Sequence, residues 1–313
     1  SVIPAEATLQ GTWPCTPHFS DASGFRQHYV DEGPREAQVL ICLHGEPTWG
    51  YLYRNFIPRL SEQYRVIVPD HMGFGKSETP QDRVYTLQTH VENLERLIDD
   101  LKLDDITFVC QDWGGPTGLA QAAMMPERFD HLVIMNTWLH HPEYEYSEGI
   151  RRWNAGWQQG GNFDRPEPDL GLMMVMSAGL MSREQYVPAF MQGEDPQLSG
   201  AAAAMYQGFA APYKGLPDAG YNGFRRFPLS IPLDSYHNGN AAAQTMHYKT
   251  LLQWNKSCHF IWGCTDDVFI EDWGRQWAQQ MNAPFDAIPD AGHFPQNTHG
   301  ERLVELILQG RSQ

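Results

Sequence analysis

No run of about 18 consecutive apolar residues, the length a helix needs to cross a bilayer, occurs in this chain of 313 residues. A membrane span is therefore not expected. The opening residues, Ser1-Val2-Ile3-Pro4-Ala5-Glu6, lack both the basic and the apolar stretch of a secretory leader. They point to a cytoplasmic protein, although a leader removed ahead of Ser1 would leave no trace. Cysteine is scarce, with five residues at 15, 42, 110, 258 and 264 and no CxxC pair. That excludes a disulfide framework or a zinc ribbon and fits a reducing compartment. Cys42 and Cys110 fall in apolar runs and read as small core residues. Positive charge is also short: 22 Lys and Arg against 38 Asp and Glu give a formal net charge of −16. Nucleic acid and anionic membranes are poor partners for such a surface, as is a highly charged anionic substrate. No metal-ligand spacing is present, since His140 and His141 are adjacent rather than one helical turn apart. The chain has no internal repeat or low-complexity linker.

What is present is a chain long enough, and at 42% hydrophobic residues apolar enough, for a full core. Strand-like runs alternate with helical ones, the pattern of a mostly parallel sheet covered on both faces. Val39–Leu43 is a fully apolar strand ending in His44-Gly45-Glu46-Pro47. Residues 64–68 form a second strand, ending at Pro69-Asp70. Over Tyr85–Leu101, Val91, Leu94, Ile98 and Leu101 recur at spacings of three to four, predicting an amphipathic helix. Strands follow at 106–109, 132–135, 259–262 and 285–288, and a last helix spans 301–308, closed by Gly310. From about 139 to 228 strand signals vanish, and Met, Ala, Gly, Tyr and Pro become frequent. The expected division is a core over residues 1–138 and 229–313 and an inserted helical cap over 139–228.

Residues 110–115, Cys-Gln-Asp-Trp-Gly-Gly, follow the strand 106–109. A strand ending in small–x–nucleophile–x–small is the elbow of an α/β-hydrolase. The slot that usually holds serine holds Asp112. A carboxylate is ordinarily ionised at neutral pH, so it can displace a leaving group from an sp3 carbon and become an ester. The bland alternative is a helix N-cap aspartate. Two further candidates also follow strands, where ligands sit in open parallel sheets. They are the adjacent pair Asp266 and Asp267, which spacing alone does not separate, and His293 in Asp290-Ala291-Gly292-His293-Phe294. The order nucleophile, acid, histidine is that of the α/β-hydrolase fold. Asp112 needs no base to activate it, so the histidine is free to draw a proton from the water that attacks the ester. Asp266 would orient the imidazole. The backbone N–H groups of Trp113 and Glu46 are placed to stabilise the oxyanion. The run Gly73-Phe74-Gly75-Lys76-Ser77 is not a phosphate loop, because position 70, which would need glycine, is Asp. It reads as a turn.

With His44-Gly45-Glu46-Pro47-Thr48-Trp49, Asp70-His71-Met72-Gly73-Phe74-Gly75-Lys76-Ser77, Gln111-Asp112-Trp113-Gly114-Gly115 and Ala291-Gly292-His293-Phe294, the chain resembles the haloalkane dehalogenases. The resemblance covers both core segments well and the cap loosely. It implies hydrolysis of a carbon–halogen bond to alcohol, halide and a proton, with no cofactor. The expected partners are a small halogenated alkane and water, in a monomer or homodimer. A leaving halide in a dry pocket needs donors without competing acceptors, and indole N–H is donor-only on an apolar body. Trp113 fits as one halide ligand. Where one branch of the family has an Asn whose amide supplies the second donor, this chain has Glu46. The second donor is then expected from the cap, as in the branch with Glu and a second Trp. Trp153 matches best, with Trp138 and Trp157 as alternatives; the segment Ala210–Pro228 resembles the family's late cap with extra residues inserted. An epoxide hydrolase, which shares the triad and uses cap tyrosines such as Tyr144, Tyr146, Tyr186, Tyr206 or Tyr213, is the competing reading. A non-catalytic hydrolase-fold binding protein is the other.

Overall fold

The computed structural model describes residues 2–158, 169–192, 194, 196–216, 218–233 and 240–310. Its sheet is built from β1 (His18–Ser20), β2 (Gln27–Glu32), β3 (Val39–Leu43), β4 (Arg65–Pro69), β5 (Ile106–Gln111), β6 (Phe129–Met135), β7 (Ser257–Gly263) and β8 (Phe285–Ile288). Across the sheet the order is β1-β2-β4-β3-β5-β6-β7-β8. From β4 to β8 every neighbouring pair is parallel, and β1 and β2 add an antiparallel margin. β3 and β5 are buried at every position, as apolar strands with both faces covered must be.

The antiparallel margin escapes a periodicity reading for a physical reason. β2 is the polar run Gln27-His28-Tyr29-Val30-Asp31-Glu32, yet its polar groups are buried because they are paired. His28 Nδ1 lies 2.7 Å from Asp70 Oδ2. Arg65 donates to both carboxylate oxygens of Asp31, at 2.9 and 2.8 Å.

Helices fill the crossovers: α1 (Ile57–Leu60) precedes β4, α2 (Leu87–Asp100) precedes β5, and α3 (Gly114–Met124) joins β5 to β6. The helix expected over 85–101 begins two residues late because Thr86 is its N-cap, accepting the Thr89 N–H at 3.1 Å. Between β6 and β7 lie α4 (Glu148–Gln158), α5 (Leu170–Ser177), α6 (Arg183–Gln192), α7 (Gly200–Ala210), α8 (Asn222–Leu229) and α9 (Asn240–Leu251). Among the described residues of 139–228 no strand occurs; positions 159–168, 193, 195 and 217 of that segment lie outside them. α10 (Glu271–Gln280) joins β7 to β8, and α11 (Pro295–Thr298) and α12 (Gly300–Gly310) follow β8. Among the described residues no helix is long and apolar enough to cross a membrane.

The parallel register aligns the carboxyl ends of the strands: Leu43 faces Cys110, Gln111 faces Met135, and Gly263 faces Ile288. The loops that leave β3, β5, β6, β7 and β8 therefore open along one edge. The turn at 73–77 packs at that edge too. Asp70 anchors it by accepting the N–H groups of Gly50 and Lys76, each at 2.8 Å. A Cβ on Gly75, whose φ is +52°, would collide with that carboxylate.

Candidate active site

Asp112 leaves β5 at φ +51°, in the left-handed region that only a tight, over-determined turn imposes on a non-glycine residue. The turn is held by three bonds. Asp112 N–H donates to Asn136 O at 3.0 Å, and Gly115 N–H donates to Asp112 O at 2.9 Å. Thr137 Oγ1 donates to the same carbonyl at 2.6 Å. Small neighbours are obligatory. A Cβ on Gly45 would run into the Asp112 side chain and Trp113 N, and one on Gly114 into Leu43 O. The Asp112 carboxylate does not cap α3. It accepts the Glu46 N–H at 2.7 Å through Oδ1, while Oδ2 lies 3.5 Å from His293 Nε2. Glu46 is fixed from behind by His44, whose Nδ1 is 2.8 Å from Gly45 O and whose Nε2 accepts the His71 N–H at 3.1 Å. Burial holds His44 below the ordinary histidine range, which fits this neutral, donor-plus-acceptor role.

The two acidic candidates after β7 separate cleanly. Asp266 is buried, and its Oδ2 lies 2.9 Å from His293 Nδ1. The same oxygen accepts Asn136 Nδ2 at 2.9 Å, and Oδ1 accepts the Val268 N–H at 2.8 Å. Asp267 does not reach His293; it forms an exposed pair with Arg152 at 2.8 Å at the rim of the same cavity. Desolvation disfavours the imidazolium of His293, but the charges and hydrogen bonds of Asp266 and Asp112 outweigh it and push its pKa up to about 10.

These groups open into a cavity of about 690 Å³ lined by Glu46, Asp112, Trp113, Trp138, Ile150, Trp153, Met173, Phe190, Ile231, Phe269 and His293, among others. The Trp113 ring is stacked on Phe227 at 4.7 Å and edge-on to Trp138 at 4.9 Å. Trp138 in turn stacks on Phe269 at 4.8 Å. The Trp153 indole donates to Glu46 Oε2 at 3.0 Å. Trp157, one turn further along α4, packs against Trp153 but is not among the described residues lining the cavity. Neither is any tyrosine. The hydroxyls of Tyr146, Tyr206 and Tyr213 pair instead with His140, Asp169 and Gly75 N. No group of three or more potential metal ligands occurs among the described residues.

Asn136 and Thr137 stood in no sequence motif, and the supporting roles of Gln111 and Phe227 were not read from the motifs that contain them. Asn136 bridges Asp266 and β7, donating to Gly263 O at 3.0 Å and accepting Gly263 N at 2.8 Å. Gln111 donates to His293 O at 2.8 Å. A signal existed for the first two, since they follow β6 at the same edge as every other candidate.

A carboxylate at a strand–helix elbow, facing a histidine backed by a second carboxylate over a parallel sheet, defines an α/β hydrolase. A family model described as alpha/beta hydrolase fold matches residues 38–171. A haloalkane dehalogenase of Psychrobacter cryohalolentis is 33% identical over 310 residues, covering 94% of this chain and 91% of that protein. The tetrameric haloalkane dehalogenase DpaA from Paraglaciecola agarilytica NO2 superposes with a TM-score of 0.79 at 29% identity, covering 99% of this chain and 95% of that one. A cis-3-alkyl-4-alkyloxetan-2-one decarboxylase of Shewanella oneidensis is 42% identical over 127 residues, covering only 40% of this chain and 39% of that protein. The chain belongs to the haloalkane dehalogenase family.

Proposed function

We propose that this protein hydrolyses the carbon–halogen bond of haloalkanes through an ester on Asp112. The observation that carries this reading is the Asp112 carboxylate, one oxygen on the Glu46 N–H at 2.7 Å and the other 3.5 Å from His293, at the floor of an apolar cavity. In the first step Asp112 attacks the sp3 carbon, a C–O bond forms, and the halide leaves with the bonding pair. Trp113 and Trp153, both lining the cavity, would donate their indole N–H groups to it, the arrangement of the branch with Glu at position 46. In the second step His293 takes a proton from water, whose oxygen attacks the ester carbonyl. The oxyanion is met by the N–H groups of Glu46 and Trp113. Collapse returns Asp112 and releases the alcohol, and His293 gives its proton to solvent. Asp266 orients the imidazole and stabilises its charged form.

The timing follows from charge. While Asp112 is ionised, it helps hold the His293 proton. Esterification removes that negative charge, so the imidazole becomes a base only once there is an ester to hydrolyse. No cofactor is needed for either step.

The proposed division is a hydrolase core over 1–138 and 229–313 with a cap over 139–228. It is supported by the helical character of the inserted segment, and by Ile150, Trp153, Met173 and Phe190 of that segment lining the cavity. A monomer or homodimer in the cytoplasm is the accompanying reading; five free thiols suit a reducing compartment. The competing epoxide hydrolase reading uses cap tyrosines to protonate the opening oxygen, and no described tyrosine lines the cavity. The experiment is halide release from 1-bromobutane, 1-chlorobutane and 1,2-dibromoethane, with an alkyl epoxide and a dialkyl oxetanone beside them. Halide and alcohol in equal amounts are expected. Turnover of the epoxide or the oxetanone without any halide release would overturn the reading.

A further inference from the structure

We infer that Glu46 is a positioning residue for the halide clamp: its carboxyl holds the Trp153 indole in the cavity into which Asp112 opens and yields that N–H to the leaving halide. The inference rests on the proposed dehalogenase reading and extends it to the control of halide binding. Glu46 is 3% exposed and lines the same cavity as Asp112 and Trp153. Its Oε2 accepts the Trp153 indole at 3.0 Å, while its Oε1 is buried with no partner. An ionised carboxylate with one oxygen unmet in a dry wall is strongly disfavoured. Beside it stands a second carboxylate, Asp112, which accepts the Glu46 backbone N–H. The other titratable groups bearing on this carboxyl are His293 and, from the segment after α7, Tyr213. Burial first, and then the charge of Asp112, raise Glu46 well above the ordinary glutamate range, with Trp153 and His293 opposing. Tyr213 is itself pushed up by burial and stays neutral.

Two consequences follow from the neutral form. A carboxylic acid accepts the indole N–H weakly, so the indole can turn to a halide. An ionised Glu46 would instead clamp the indole and repel the anion. Halide affinity therefore falls as Glu46 ionises, and the Trp153 hydrogen bond, which favours the ionised form, brings that fall to lower pH against burial and the charge of Asp112.

The test is bromide and iodide binding to the full chain, read by quenching of tryptophan fluorescence between about pH 6 and about pH 9. Halide release from 1-bromobutane is followed in parallel. Wild type is expected to lose about tenfold in affinity for each unit above the Glu46 titration, whereas Glu46→Gln loses less than about threefold over the whole range. Any decline common to both belongs to His293. Trp153→Phe, which needs no change at Glu46, is expected to bind more weakly at low pH and to show its alkaline decline at higher pH. Coincident profiles for wild type and Glu46→Gln, or an unmoved decline in Trp153→Phe, would overturn the inference while leaving dehalogenation standing. A wild type that releases no halide would remove the proposed function and this inference with it.

Discussion

His293 Nε2 stands 3.5 Å from Asp112 Oδ2, close enough for their charges to interact and too long for a strong hydrogen bond. The same ring is held at Nδ1 by Asp266 at 2.9 Å. The histidine is thus fixed by the acid behind it and left loose toward the nucleophile. In the proposed reaction that looseness leaves room for a water on the Asp112 side once the carboxylate is an ester.

Removing the proposed base while keeping an aromatic ring should stall the enzyme halfway. His293→Phe retains Asp112 and the proposed halide donors, so alkylation is expected to proceed and hydrolysis to fail. General-base loss of this kind costs about 100- to 10,000-fold in turnover. After incubation with 1-bromobutane, intact-protein mass spectrometry should show one added butyl group, located on the peptide containing Asp112. A folded variant of unchanged mass, beside an active wild type, would refute the division of roles.

Neutralising the proposed nucleophile should lower the histidine pKa. Asp112→Asn replaces the charge with an amide, standing in for the ester. With the charge of Asp112 among the causes that raise it to about 10, the variant should titrate clearly below wild type, as followed by NMR of the His293 imidazole. Stability carries the same sign. A histidine raised above its ordinary value contributes stability in full below about pH 6.5, and that contribution is lost as pH rises through about 10. The urea midpoint of wild type should therefore fall between pH 7 and 10 more steeply than that of Asp112→Asn. An unchanged histidine titration would mean that the two side chains are not coupled.

The neighbouring acids should differ sharply. Asp266→Asn keeps the shape but puts an amide where Nδ1–H needs an acceptor, and it sets two amide groups, its own and that of Asn136, against each other. We expect a loss in kcat of at least about 100-fold. Asp267→Asn leaves His293 untouched and weakens an exposed pair with Arg152 at the cavity rim, and surface pairs contribute about 0–1 kcal/mol. Its kcat should stay within about twofold of wild type. Comparable losses in both variants would mean that Asp266 does not orient the base.

How legible this site was in the sequence depended on whether a residue's job is written locally. Asp112, Trp113 and Gly114 form a contiguous elbow, and Glu46 and His293 each sit in a short loop immediately after a strand, so their neighbours announce them. The choice between Asp266 and Asp267 depends on which of two adjacent side chains turns inward, and Asn136 reaching across from β6 makes that choice. No local pattern encodes it. Phe227 supports Trp113 from 114 positions further along the chain, and β2 hides a buried strand behind polar residues whose partners, Asp70 and Arg65, come from β4 and the loop after it. The parallel core was readable from apolar runs; the margin and the supports of the site were tertiary facts.

The proposed halide ligand on α4 offers a test between two side chains of the same type. Trp153 and Trp157 lie four residues apart, hence on one face of α4, with their rings edge-on at 5.6 Å. Only Trp153 lines the cavity and bonds to Glu46 there. Trp153→Phe removes the N–H but keeps an aromatic ring, so iodide should bind about tenfold more weakly, the scale of a lost hydrogen bond to an ion. Trp157→Phe alters the packing behind that ring and should change the iodide Kd by less than about twofold, with any cost appearing in the thermal midpoint instead. Titrating iodide against tryptophan fluorescence in both variants separates them. The reverse ranking would move the clamp one turn along α4 and deprive Glu46 of its partner.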